Sequence, residues 1–391
     1  MPEAVVVAGA RTPIGRAHKG SLIDVDAFEL ARIAVGEAIA RSGIPAADID
    51  DIVVAESLQG GGVIARYIAL QLGLTNVPGM ADNRHCAAGL TSVQVGSASI
   101  RAGMDSVVVS GGTESLSSTP RAFKSIPASA MDPQPWMSPS HPEQADAPQW
   151  DMSITVGENT ARLAGITRAA ADEWALKSHQ SAARSIAEGW FAEQIVPVEV
   201  PDGSGGTRTF DTDEHPRADT SLERLASLPV IHPELEGATV TAGNAAGLND
   251  GAAAVVLTSD EYAAANGLTP LARIRGWGSV GVDPVRTGLA PIDAIPKAAA
   301  RAGVSVADID LFEINEAFCT VAVAATRALD LDPEHVNVNG SGCGLGHPIA
   351  CTGSRMVVTM VAELARRDLT LGCVSMCAGG GMGSALVLER L

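Results

Sequence analysis

The chain has 391 residues, enough for roughly two or three domains, with a formal net charge of −18, a 46% hydrophobic composition, few aromatics and 41 glycines. So acidic a chain lacks the electrostatic footprint for nucleic acid or an anionic membrane surface, and an anionic ligand would need local basic groups. No apolar run reaches the roughly 18 residues of a membrane span, and the start shows no basic stretch followed by an apolar one.

In chain order, MPEAVVVAGARTP opens with a strand-like run. Residues 40–57, ARSGIPAADIDDIVVAES, read as a helix end, a glycine stop, an acidic turn and an apolar strand. The same shape returns at 300–317, ARAGVSVADIDLFEINEA, with eight of eighteen positions identical. A looser echo pairs SVVVSGGTES (106–115) with CVSMCAGGGMG (373–383), both apolar strands running into glycine turns. Two matches in the same order predict duplication: two related α/β halves, each alternating strands and helices around a mainly parallel sheet.

Between the halves the texture changes. Residues 119–150, rich in Pro, Met, Ser and Gln and containing Trp136 and Trp150, have little periodicity and predict an irregular loop. Residues 155–194 read as helical, with Asp172 and Glu173 early in a helix and Gly189 near its end, and 201–237 are polar and turn-rich. Such an insertion commonly covers or builds a ligand site.

Four segments carry chemistry. In ADNRHCAAGLTSVQVGSASIRAG (81–103) an extended stretch leads to Cys86, then to a helix-length run of small residues ended by Gly103. Unpaired N–H groups and the dipole at a helix N-terminus would favour a thiolate, lowering the pKa below its free value of about 8.5; a buried structural cysteine fits the same place. LFEINEAF (311–318) is a strand end carrying Asn315 and Glu316, where parallel sheets bind ligands; an N-cap Asn with a first-turn Glu uses the same residues. NVNGSGCGLGHPIACTGSRM (337–356) has glycines at 340, 342, 344 and 346, predicting a flexible loop that delivers His347, its ring fixed by Pro348, as a general base or oxyanion donor. Its spacing matches neither a dinucleotide nor a phosphate loop. In CVSMCAGGGMG, Cys377 ends a strand before three glycines whose N–H groups can point into a site. The six cysteines form no CxxC pair and there is no HExxH, so reduced cytosolic thiols are expected and zinc is not.

Together ADNRHCAAGLTS, GGTES, TAGNAAGLNDGAAA (241–254), NEAF, GHP and CAGGGMG resemble the thiolases in order and spacing over essentially the whole chain. The resemblance implies a duplicated thiolase fold of five layers, α-β-α-β-α, with an inserted loop domain. Residues 1–118 plus about 243–268 would form the first half, 119–242 the insertion and 269–391 the second half. It implies an acyl-CoA C-acyltransferase that thiolyses 3-ketoacyl-CoA or runs the reverse Claisen condensation. Cys86 would carry the acyl group, His347 activate it, and Cys377 exchange a proton with the substrate α-carbon or incoming CoA. Asn315 would hold a water that joins His347 in one oxyanion hole, and the N–H groups of Cys86 and Gly379 would form the other. Phe318 belongs to the same NEAF motif. Arg217 is expected near the CoA nucleotide. Ala246 stands where short-chain biosynthetic members often carry Ser against pantetheine, and Met152 near where they tend to carry His. These departures, with NRHC and ITVGEN, lean toward the degradative branch rather than acetoacetyl-CoA synthesis. CoA would be a substrate, with no metal or separate cofactor, in a cytoplasmic homodimer or homotetramer. A decarboxylating condensing enzyme of the same superfamily would lack the second cysteine, so Cys377 argues against it.

Overall fold

The computed structural model describes residues 1–126 and 129–391. The first half runs β1 (Ala4–Arg11), α1 (Ala27–Ser42), β2 (Asp51–Ala55), α2 (Ile64–Gln71), β3 (Gly79–Asp82), α3 (Ala88–Arg101) and β4 (Val107–Ser115). An intervening block carries α4 (Arg168–Ala187), and β5 (Asn249–Ser259) then returns to the first sheet. The second half runs β6 (Ala272–Gly281), α5 (Ala290–Ala302), β7 (Leu311–Ile314), α6 (Cys319–Ala328), α7 (Thr352–Arg367), β8 (Leu371–Ala378) and β9 (Met382–Arg390).

The two copies of the sequence repeat fold alike. Helix α1 stops at Gly43 and α5 at Gly303, with left-handed φ of 66° and 74°, a region that costs glycine no Cβ clash. The acidic turn that follows does the same work in both copies. Asp50 accepts the N–H groups of Ser106 (2.7 Å) and Val107 (2.9 Å), anchoring β4; Asp310 accepts those of Thr370 (3.0 Å) and Leu371 (2.8 Å), anchoring β8.

The main sheet runs β7-β8-β9-β6-β1-β5-β4-β2-β3, with Gly15–Arg16 pairing beside β5. Outward from the β1–β6 joint both halves repeat one order, and a parallel bridge from Phe312 to Val336 stands where β3 stands in the first half. Helices α1 and α2 cover the outer face of the first half, and α5 and α6 that of the second. Helices α3 and α7 pack together between the halves and touch strands of both, which completes five layers, α-β-α-β-α. A helix so placed has little solvent face, and the Ala, Gly, Ser and Val of α3 let it be buried on most sides.

The expected mainly parallel sheet is not found. β2 runs parallel to β3 and β4, and β7 to β8, but β5 opposes both β1 and β4, β9 opposes β6 and β8, and β1 opposes β6. Strands buried on both faces read as continuous apolar runs whichever way they point, so composition does not reveal direction.

The insertion also holds more order than its composition suggests. Ala122–Ile126 and Ser129–Trp136 form an antiparallel ribbon with Ala122 opposite Trp136, in a stretch expected to be irregular; residues 127 and 128 of that stretch lie outside the described residues. Val198–Pro201 and Thr207–Phe210 form a second ribbon. The helical stretch breaks at Gly165 (φ 62°) before α4, and Gly189 (φ 73°) follows the end of α4. Among the described residues, no helix is long and apolar enough to cross a membrane.

Candidate active site

Cys86 lies two residues before α3 and is the one cysteine of six that is not fully buried. Tight hydrogen bonds hold its loop. Asn83 Oδ1 accepts the His85 N–H (2.9 Å), and the Ala87 and Ala88 N–H groups donate to the carbonyls of Arg84 (3.1 Å) and His85 (2.9 Å). His85 takes a φ of 47°, rare outside glycine. Arg84 donates to Ser279 Oγ on β6 (2.7 Å), tying the loop to the second half.

The expected lowering of the Cys86 pKa does not occur. Burial pushes the thiol up to about 11, and the N–H groups of Gly379 and of Cys86 itself only partly offset it. Desolvation of the thiolate against the apolar core outweighs the donors at the helix start. Cys377, at the end of β8, is near enough to sense the same sulfur: burial, and then Cys86, hold its thiol well above the ordinary value. Of the three glycines that follow, Gly379 directs its N–H at Cys86, while Gly380 and Gly381 (φ 87° and 74°) turn the chain. A Cβ on Gly379 would lie 3.7 Å from Met152 Sδ and 3.8 Å from His85 Cδ2, which places those two side chains at the same spot.

The loop before His347 is a buried helical turn, Gly342–Leu345, rather than a flexible segment. A Cβ on Gly344 would lie 2.5 Å from the Ser178 carbonyl, so close packing against α4 holds the turn. The His347 N–H donates to Asn249 Oδ1 (2.9 Å), and its ring Nδ1 lies 2.6 Å from Thr352 Oγ1. The Thr352 hydroxyl donates its one proton to the Pro348 carbonyl (2.7 Å). Thr352 therefore accepts from Nδ1–H, and the lone pair lies on Nε2. Asn315 Nδ2 lies 3.4 Å from that Nε2. Pro348 thus orients the ring through its carbonyl and Thr352. Burial, and then the charge of Arg355, push His347 down to about 3, so the ring is neutral.

The two loops meet through Ala350. Its carbonyl fits against Gly89 on α3 and Gly112 on β4, where a Cβ would lie 2.2 Å and 2.0 Å from the oxygen. Glu114 accepts the N–H groups of Ala350 (3.1 Å) and Leu58 (3.0 Å) and the Gln59 amide (2.7 Å), so the last acid of GGTES clamps the His347 loop. Asn315 and Glu316 cap no helix: α6 begins at Cys319 with Phe318 as its N-cap. Glu316 instead accepts from Trp174 Nε1 (2.8 Å), Asn337 Nδ2 (2.6 Å), Ser178 Oγ (2.5 Å) and the Cys343 N–H (3.2 Å). Asn315 Oδ1 is buried without a partner, facing Gly342.

Phe318 packs on Gly157, and Ala246 joins the same surface through its N–H to the Ala317 carbonyl (2.9 Å). Arg217 stands apart and exposed, linked inward through its backbone. Its N–H donates to His179 Nδ1 (3.3 Å), His179 stacks on His215 at 6.2 Å, and His215 Nδ1 lies 3.2 Å from Asn249 Nδ2. Thr352, Asn249, Glu114 and Glu316 are site residues whose roles sequence reasoning did not bring out; each sits inside a segment already singled out. Among the described residues no cluster of His, Cys, Asp or Glu could hold a metal ion.

Comparison with known proteins agrees along the full length. The model for the thiolase N-terminal domain matches residues 4–261 and that for the C-terminal domain residues 268–390. The chain is 39% identical to a 3-ketoacyl-CoA thiolase of Bacillus subtilis (strain 168), covering 100% of both chains. It is 41% identical to the beta-ketothiolase BktB of Cupriavidus necator, covering 100% of this chain and 99% of the other. Among solved structures, the Bacillus anthracis acetyl-CoA acetyltransferase superposes with a TM-score of 0.93 at 40% identity, covering 100% and 99%. The human mitochondrial 3-ketoacyl-CoA thiolase in complex with CoA superposes with a TM-score of 0.91 at 35% identity, covering 100% and 98%.

Proposed function

We infer, from the premise that this chain belongs to the thiolase family and catalyses thiolysis of 3-ketoacyl-CoA or the reverse Claisen condensation, that Cys86, His347 and Cys377 divide the reaction among them. As the Cys86 sulfur attacks the 3-keto carbon, its proton passes to His347 Nε2. The oxyanion that forms faces the N–H groups of Gly379 and Cys86. Collapse breaks the bond between the α- and β-carbons and leaves the shortened acyl group on Cys86. The departing acetyl-CoA enolate, its oxygen held near His347 and Asn315, takes a proton from Cys377. An incoming CoA thiol then gives its proton to Cys377, its sulfur attacks the acyl-cysteine, and the Cys86–acyl bond breaks to release the shortened acyl-CoA while Cys86 takes its proton back from His347 Nε2.

The observation that carries this assignment is the fixed ring of His347, whose Thr352 partner leaves Nε2 as an acceptor. Acetyl-CoA should label Cys86. Cys86→Ala should abolish acyl transfer, and Cys377→Ala should block condensation while leaving some labelling of Cys86. Normal thiolysis by either variant would sink the assignment.

Acyl-CoA and CoA act as substrates with no separate cofactor. Met152 and Ala246, in place of a histidine and a serine, favour 3-ketoacyl-CoA degradation of the β-oxidation type over acetoacetyl-CoA synthesis. Phe318, Ala246 and Met152 line the substrate path and Arg217 lies toward the CoA nucleotide, in a cytoplasmic homodimer or homotetramer.

A further inference from the structure

Asn249, buried at the start of β5, holds His347 by its backbone: its Oδ1 accepts the His347 N–H (2.9 Å). That bond fixes which way the amide faces, so Nδ2 makes the remaining contacts. It donates to the Gly15 carbonyl (2.9 Å) and to His215 Nδ1 (3.2 Å). Every polar position of the amide is then in use. His215 Nδ1 is therefore an acceptor, and its ring proton sits on Nε2. The imidazole is also bonded to the backbone of Cys343, in the buried turn that precedes His347. A protonated Nε2 suits that carbonyl. His215 thus reaches the His347 loop at both ends, directly at Cys343 and through Asn249 at His347 itself.

The packing leaves little slack between these groups. A Cβ on Gly346 would lie 2.7 Å from Asn249 Nδ2, and one on Gly247 would lie 2.4 Å from His215 Cε1. His215 is held in turn by its neighbours in sequence. Asp213 makes a fully buried bidentate pair with Arg11, both bonds at 2.8 Å. Glu214 accepts the N–H groups of Arg16 (2.8 Å) and Ser21 (2.9 Å). A stretch of the insertion that composition marks only as polar and turn-rich is so docked on the first half. Burial, then the charges of His179, Arg16 and Arg217, push His215 down to about 3, which keeps the neutral ring that accepts from Asn249.

We propose that His215 is a positioning residue for the reaction: through Asn249 and the turn before His347 it sets where His347 Nε2 stands relative to the Cys86 sulfur. The proposal rests on His347 being the base that takes the Cys86 proton. Proton transfer depends steeply on the placement of donor and acceptor, so a partner that fixes the backbone on both sides of the turn acts on the chemical step.

The test compares thiolysis by the wild-type chain, His215→Leu and His215→Gln. Leucine fills much of the ring's volume without its polar atoms, whereas glutamine offers an acceptor and a donor on one side chain. His215→Leu should lower kcat by up to about 10²-fold, the scale of a roughly 1 Å misplacement, with little change in KM. His215→Gln should regain most of the lost kcat. A His215→Leu enzyme with wild-type kcat overturns the proposal. So does a His215→Gln enzyme as slow as His215→Leu, which would mean that the ring only fills space. Nitrogen NMR on histidine-labelled wild type, with His215 assigned from the Gln variant, reads the same bonds whether or not the Leu variant folds. A neutral ring protonated on Nε2 is expected near neutral pH; a ring protonated on Nδ1 overturns the proposal. Labelling of wild-type Cys86 by acetyl-CoA is measured alongside. Labelled Cys86 with kcat unmoved by His215→Leu removes the positioning role alone, whereas unlabelled Cys86 removes the catalytic assignment beneath it.

Discussion

Thr352 Oγ1 sits 2.6 Å from His347 Nδ1 while giving its only proton to the carbonyl of Pro348. The side chain therefore dictates which ring nitrogen carries hydrogen. Thr352→Val keeps the shape but removes the acceptor, freeing the ring to adopt the other tautomer. A loss in kcat of about 10²-fold is expected, within the range of general-base contributions, with little change in KM. Thr352→Ser should restore most of it. An active Thr352→Val enzyme with an unchanged pH profile would show that the hydroxyl only fills space.

The pH behaviour of Cys86 follows from its surroundings. The thiol stands at about 11 and His347 at about 3, so between those values the resting pair is a neutral thiol and a neutral imidazole. Only the thiolate is alkylated readily, and its fraction grows about tenfold per pH unit below the pKa. Iodoacetamide labelling of Cys86 should keep rising through pH 9. A plateau already reached near pH 7 would reveal a pre-formed thiolate–imidazolium pair.

Glu316 accepts four buried donors contributed by α4, the Asn337 side chain and the turn before His347. Glu316→Ala would orphan the Trp174, Ser178 and Cys343 donors, whereas Asn337 Nδ2 keeps the Ile314 carbonyl (2.8 Å). A loss of about 3 kcal/mol in stability is expected, read from the denaturant midpoint at constant slope, since an unsatisfied buried group costs about 1–3 kcal/mol. A midpoint equal to wild type would mean that water or a shifted side chain replaces the carboxylate.

Gly112 is where two halves of the site touch. A Cβ there would lie 2.0 Å from the Ala350 carbonyl oxygen, so Gly112→Ala must push the His347 loop away from β4. Misplacement of about 1 Å can cost about 10²-fold in rate, and a loss of that order in kcat is expected from protein that remains folded by circular dichroism. Wild-type kcat would mean that the loop tolerates the shift.

Much of the architecture was legible because it repeats locally. Gly43 and Gly303 stop equivalent helices, and Asp50 and Asp310 anchor equivalent strands, with spacing kept over the same few residues. The insertion was less legible: in the ribbon of Ala122–Ile126 and Ser129–Trp136, Pro133 and Pro135 break the alternation by which strands are recognised. The direction of β5 was not legible, since its residues are buried on both faces and would pack equally well in a parallel ladder.

The sequence by itself determined the duplicated α/β plan, the family and the class of reaction, because these are written in local patterns and in the order of motifs. Only the tertiary structure decided the state of the reactive groups. Cys86 was expected as a stabilised thiolate, yet apolar surroundings drawn from both halves raise its thiol. The neutral ring of His347 depends on burial and on Arg355, and its backbone on Asn249, which stands 98 residues away. Glu114 reaches its loop partner Ala350 across 236 residues. Desolvation and hydrogen-bond partners are properties of what packs around a group, and here those neighbours come from distant parts of the chain.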